Sequence, residues 1–242
     1  MSVLVNIFLV LLASIPAVSC FSSSSLHSSK LLHQHQHTSK TTTTTQLHSS
    51  SFNLNFLDSL FSSTNSNNKS QIQQLKTQLY QTCQSSYGIS TPPIRTSIES
   101  LISQLQPLNP TPSPSTSKLL QRKWIVLWTS EKEINFFLEK GISTRIEQTL
   151  SDGKVLENWI PFVRGGGFGV TGSIQPAVDN SGGSSDGLRT EFKFESATLD
   201  IGKWGTYNFP PLGEGWFDTV YLDDELRIDL NSRNDILICR GE

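Results

Sequence analysis

The sequence predicts a mainly β protein, an antiparallel β-barrel preceded by two short α-helices and carrying one short helix between its first two strands. Three observations carry this. Beyond Lys118 the apolar residues repeat with a period of two, not 3.6. Turn-forming residues interrupt these runs at short intervals. Some eight such runs, mostly hairpin-linked, suit a closed up-and-down barrel better than a two-sheet sandwich with long crossovers.

Residues 3–18 are apolar except for Asn6, Ser14 and Pro16, and the run ends in Ala17-Val18-Ser19-Cys20 before Phe21. That is a signal-peptide core with a cleavable end, over residues 1–20, although its start lacks Lys and Arg. It is too short for a comfortable membrane span, which needs about 20 apolar residues. Residues 21–67 are rich in Ser, Thr, His and Gln, hold only Lys30 and Lys40 as basic residues before Lys69, and show no acidic residue until Asp58. This is the composition of an organelle transit peptide, and the rival reading is a secreted protein with a Ser/Thr-rich linker. His33, His35 and His37 alternate with Gln as metal ligands sometimes do, but an unfolded segment offers no fixed geometry, so no metal is expected.

After Asp58 come a helical and Pro-rich segment over 68–117 and the barrel over 118–242. Seventeen of the 19 basic residues and 20 of the 21 acidic ones lie beyond residue 67, so this part is acidic. Without a basic patch it does not suit nucleic acid. Cys83 and Cys239 stand far apart with no CxxC pair, so neither a disulfide framework nor a zinc site is expected. In the first helix, opened by Ser70 and ended near Gly88, Ile72, Leu75, Leu79 and Cys83 share a face. Thr91-Pro92 opens the second, with Ile94, Ile98, Leu101, Ile102 and Leu105 on one side. The alternate prolines of Asn109-Pro110-Thr111-Pro112-Ser113-Pro114 then impose an extended segment.

The first strand runs over 124–128. Ser130-Glu131-Lys132-Glu133 reads as a capping box for a helix bearing Ile134, Phe137 and Leu138. Strands over 144–150 and 155–162 follow, joined by a tight Ser151-Asp152-Gly153-Lys154 hairpin. Phe168, Val170 and Ile174 mark the next, with Gly172 in the remaining inward place. Leu188, Thr190, Phe192 and Phe194 alternate with charged residues in the clearest strand, after a long loop at 182–187. Leu226, Ile228 and Leu230 alternate with Arg227, Asp229 and Asn231, which places Arg227 on a wet outer face. If the register turns it inward, it needs a partner, either Asp223 or a lipid headgroup. The last strand, over 236–238, follows the turn Asn231-Ser232-Arg233-Asn234.

Asn109-Pro110-Thr111-Pro112 after a helix, followed by Lys123-Trp124-Ile125-Val126-Leu127-Trp128-Thr129-Ser130, resembles the entry to the plastid lipid-associated protein family, the fibrillins. Trp216-Phe217-Asp218-Thr219-Val220-Tyr221-Leu222-Asp223-Asp224-Glu225-Leu226-Arg227-Ile228 is similar to its closing segment. The resemblance covers about residues 97–240. It departs where Trp128 replaces a Tyr, where Asp229 and Asn234 bound a segment in place of a Gly-bearing turn, and where Gly165-Gly166-Gly167 and Gly182-Gly183 look inserted. A signal peptide followed by a transit segment that begins with Phe also resembles the bipartite leader of plastids bounded by more than two membranes. Cys20 and Phe21 would then be the targeting residues.

The resemblance implies a lipocalin-like domain at thylakoids or plastoglobules, reached through the ER. It would bind or sequester a carotenoid, quinone or fatty acid, without a catalytic cofactor, with lipid surfaces and proteins of plastid lipid metabolism as partners. Trp124, Trp128, Trp159, Phe168, Phe192 and Phe194 are the candidate apolar ligand contacts, with Tyr221 and Arg227 beside them. No catalytic residue is expected: all five His lie at or before His48, no Gly-x-Ser-x-Gly elbow occurs, and Gly165-Gly166-Gly167-Phe168-Gly169 lacks the Lys of a phosphate loop. Asp223-Asp224-Glu225 reads as a turn more readily than as a metal cluster. Two rivals remain: a coat protein of lipid droplets with a filled barrel, and a barrel isomerase or dehydratase in which Asp223, Arg227 and Tyr221 converge.

Residues 1–67 fused to a fluorescent protein are expected to deliver it to the plastid, and Phe21→Ala to abolish delivery. Microscopy that finds the fusion secreted, or the variant still delivered, contradicts the two-part address.

Overall fold

A computed structural model of the protein describes residues 54–151, 155–177, 187–210 and 213–242, with side chains from residue 67 onward. The leader up to residue 53, the Asp152-Gly153-Lys154 turn and most of the 182–187 loop lie outside the described residues. The chain divides into two compact units, Met1–Asp58 and Ser59–Glu242, and the sheet lies in the second.

Helix α1, Leu54–Ser85, is 32 residues long rather than short, and Ser70 lies within it rather than capping it. The Ser- and Asn-rich stretch before Ser70 has low helix propensity and hides its first half from a periodicity argument. Tyr87 and Gly88 turn the chain with φ of 53° and 76°. Helix α2, Pro92–Leu105, starts where its prolines predict. The Pro-rich segment after it is not uniformly extended, since it carries 3-10 turns at Gln106–Leu108, Pro114–Thr116 and Lys118–Leu120.

Among the described residues nine antiparallel strands follow: β1 Lys123–Thr129, β2 Glu147–Ser151, β3 Val155–Pro161, β4 Gly167–Pro176, β5 Arg189–Asp200, β6 Thr206–Phe209, β7 Glu214–Leu222, β8 Leu226–Asn231 and β9 Ile236–Gly241. Their order is β4-β3-β2-β1-β9-β8-β7-β5-β6, and β4 also pairs with β5. The sheet therefore closes in a ring, as the strand pattern predicts. The short strand β6 is attached outside the cycle to the far half of β5, and no alternation announced it.

The short helix α3, Lys132–Glu139, lies between β1 and β2 as expected, but the capping box does not form. Ser130 Oγ instead donates to Asp235 (2.9 Å) and accepts from the Ile236 amide (2.9 Å), tying the end of β1 to β9. From α3, Phe137 stacks on Phe162 and Phe168, with centroids 6.1 Å apart in each case.

The core has two layers. Outside the ring, Leu75, Leu79 and Cys83 of α1 and Ile98, Leu101, Ile102 and Leu105 of α2 pack on Trp128, Val220, Tyr221, Leu226, Ile228, Ile236 and Ile238. Inside it, Leu120, Trp124, Leu150, Leu156, Ile174, Leu222 and Cys239 form a second cluster. The two helices thus cover the outer face of β8, β9 and the end of β1. Because side chains alternate across a strand, Leu226 and Ile228 face the helices and Arg227 and Asp229 are turned inward. The charged face of β8 is therefore the inner one, and Arg227 is 0% exposed.

Leu79→Ala is expected to cost about 2–5 kcal/mol, because the cavity would open in the middle of the helix layer. Urea unfolding checks this, and a loss below about 1 kcal/mol would mean that α1 does not pack on the ring.

Candidate functional site

The inner face holds both apolar and polar side chains. Trp124 is 0% exposed and donates from its indole to the Leu120 carbonyl (2.9 Å). Around it Leu150, Leu156 and Leu222 are buried, and this part of the interior is solid. Four further apolar side chains of the inner cluster, Val126, Phe192, Phe194 and Leu237, stay partly exposed although they lie within strands and face inward. Phe192 lies 4.9 Å from Phe194 and 6.4 Å from Phe217, ring centre to ring centre. The interior thus has a packed part around Trp124 and a solvent-reachable apolar part on β1, β9 and β5.

A polar string crosses between them. Thr219 Oγ1 donates to Asp229 (2.7 Å), whose other oxygen lies 3.0 Å from Nε of Arg227. Arg227 reaches over β9 and β1, donating from Nη2 to Gln148 of β2 and, at 3.6 Å, to the sulfur of Cys239. Gln148 donates onward to Asn158 (2.8 Å). The guanidinium lies 5.0 Å from the Trp124 ring. Burial pushes the Asp229 carboxyl above its usual range, with Arg227 and Thr219 opposing it. Burial also pushes the Cys239 thiol up to about 12, so it stays neutral.

Of the residues singled out from the sequence, Trp124, Phe192, Phe194 and Arg227 face the interior together, and Phe168 faces inward against Phe137 of α3. Trp128 does not join them. The β1–β9 register shifts between Val126 and Trp128, which turns the indole outward under the helices, where it donates to the Ile89 carbonyl (3.2 Å). Trp159 also faces out: it pairs with Gly169, and a Cβ there would lie 3.1 Å from the indole, so the glycine leaves room for the ring.

Tyr221 lies in the outer layer and donates to Asp223 (2.9 Å). Asp223 also accepts from Lys76 of α1 (2.8 Å) and from the amides of Glu225 (2.8 Å) and Leu226 (2.7 Å). It is a turn residue and helix anchor, and the partner of Arg227 is Asp229 instead. Asp223, Tyr221 and Arg227 therefore do not converge in one pocket. Among the described residues, no group of three or more His, Cys, Asp and Glu is placed to hold a metal ion.

The sequence reasoning passed over Asp229, Gln148, Val126 and Leu237. Asp229 and Val126 had a signal in their alternation with Arg227 and Trp124. Gln148 had none, because it reaches Arg227 from three strands away.

The PAP_fibrillin family profile matches residues 69–240. The chain belongs to that family. It is also 35% identical over 132 residues to the probable plastid-lipid-associated protein 11, chloroplastic, of Arabidopsis thaliana. That match covers 52% of this chain and 58% of the relative, so the chain spans little more than half the relative's length. No solved structure matches the chain.

The two stretches that carried the fibrillin resemblance meet in space. Asn109 Oδ1 accepts from the Leu222 amide (3.0 Å), and Thr111 Oγ1 donates to the Leu222 carbonyl (2.7 Å). The Asn-Pro-Thr-Pro segment thus completes the backbone pairing at the end of β7, next to Asp223.

Burial alone would raise the Asp223 carboxyl, but Lys76 and the two amides more than offset it and hold it below the usual range. A depressed carboxylate stabilises the fold above its unfolded pKa of about 3.9, and that contribution is lost as pH falls through the lower folded value. Lys76→Met is therefore expected to cost about 3 kcal/mol at pH 7 and less at pH 2, because the contribution of Asp223 fades as pH falls from the unfolded value through the lower folded one. Urea midpoints at both pH values check this, and an equal cost at both contradicts the ion-pair account.

Proposed function

We propose that this fibrillin holds the apolar part of a lipid in the open half of its closed sheet, within a plastid and at thylakoid or plastoglobule surfaces. The observation that carries the proposal is the partial exposure of Val126, Leu237, Phe192 and Phe194, apolar side chains that face inward and yet remain reachable by solvent. Such surface gains by covering, at about 25 cal/mol per Å² removed from water, and flat rings offer large contact at small entropic cost. Family membership supports a lipid association, and the chloroplastic name of the relative supports the plastid. The two-part leader supports import through the ER. Among the described residues no helix is long and apolar enough to cross a membrane, so lipid contact through α1 or α2 would not be by spanning.

The coat-protein reading has its own support in the packed half around Trp124, Leu150, Leu156 and Leu222. Filling the open half separates the two readings. After incubation of the full chain with plastid lipid extract, native mass spectrometry is expected to find one retained lipid per chain. Leu237→Trp is expected to lower that occupancy about tenfold without changing flotation with lipid droplets. Unchanged occupancy in the variant, or flotation with no retained lipid in the wild type, favours the coat.

A further inference from the structure

Arg227 has more donors than partners. Nη2 is taken by Gln148 and Cys239, whereas Nε and Nη1 are both buried without a hydrogen-bond partner, Nε lying at ion-pair distance (3.0 Å) from Asp229 and Nη1 beside no acceptor. A buried donor left unpaired is a standing penalty that a ligand atom would relieve. The register places Arg227 next to residues of the open half. Arg227 pairs with Cys239, which pairs with Val126 on β1, and Asp229 pairs with Leu237 on β9. Val126 and Leu237 are two of the four partly exposed side chains packed on the inner cluster, so the polar string borders the reachable apolar surface.

Charge decides what kind of atom fits. Arg227 and Asp229 already form an ion pair, and the Cys239 thiol beside them is neutral. A carboxylate or phosphate entering here would leave an unbalanced negative charge in a buried site next to Asp229, which is costly. A neutral oxygen that only accepts hydrogen bonds adds no charge and supplies what Nη1 lacks. We propose that Nη1 of Arg227 is the headgroup contact of the interior, donating to the neutral carbonyl of an ester or ketone lipid whose chain lies on Val126, Leu237, Phe192 and Phe194. This deepens the lipid-holding reading and rests on it. The site selects neutral carbonyl lipids over free fatty acids and over plain hydrocarbons.

Nitroxide-labelled chains test this on the full protein, because a label near the head quenches Trp124, whose ring lies 5.0 Å from the guanidinium. The probes are methyl 5-doxylstearate, free 5-doxylstearate and 5-doxyldecane, titrated at pH 8. The ester is expected to bind about tenfold tighter than either of the others, the scale of one buried hydrogen bond. Arg227→Leu combined with Asp229→Leu removes both charges together, which a buried pair tolerates better than the loss of one partner. In that variant the ester is expected to lose its advantage over the doxyl alkane, while alkane binding persists and the circular dichroism spectrum is unchanged.

Equal binding of ester and alkane to the wild type, tighter binding of the free acid, or an ester preference that survives in the double variant overturns the headgroup assignment but leaves the lipid-holding reading standing. Failure of every probe to quench overturns both.

Discussion

The organisation of this protein follows from what covers the outer face of β8. Leu226 and Ile228 lie beneath α1 and α2 in a layer that also takes in Leu79, Ile98 and Leu105, all 0% exposed. A strand has only two faces, and its apolar set is committed to the helices, so the charged set must face the interior. There Arg227 and Asp229 pair, because a lone charge in that position would not be tolerated. The polar string from Thr219 to Asn158, the packing of Trp124 against the guanidinium and the division of the interior into a solid and an open half all depend on that inversion. The helices thus do more than flank the sheet, since their docking determines which residues of β8 line the interior.

Lys76 fixes that docking electrostatically. From α1 it reaches Asp223 (2.8 Å) and Glu225 (2.6 Å), and Asp223 in turn holds the tight connection from β7 to β8. Glu225 is well exposed, so its share is small, whereas Asp223 is largely buried and its pairing with Lys76 counts for more. Asn109 and Thr111 fasten the other side of the same corner at Leu222. The densest acidic cluster of the chain is therefore a structural corner where a helix, a Pro-rich segment and a hairpin meet.

The strands were legible because their alternation is a local property, and β5 shows it best, with Thr190, Phe192 and Phe194 inward as predicted. The helix faces were legible for the same reason, as Leu75, Leu79 and Cys83 bear out. What could not be read was which face of β8 would be inner, since its apolar residues match a helix layer as well as a barrel lumen and the choice rests on contacts over 100 residues away. A bulge moved Trp128 to the outer layer, and a glycine on the facing strand made room for Trp159 outside; neither leaves a mark in the periodicity of its own segment. Strand β6 was missed because it is four residues long and mostly exposed, with no dry face to alternate.

The proposed lipid-holding role requires that lipid reach Val126 and Leu237 inside the ring and not spread over the helix layer. Methyl-labelled NMR of valine and leucine side chains, recorded while a long-chain methyl ester is added, tests it directly. The account predicts shifts at Val126 and Leu237 that saturate at one ester per chain, with Leu75 and Leu79 on the buried face of α1 unmoved. Shifts confined to the helix layer, with Val126 and Leu237 unchanged, would contradict it.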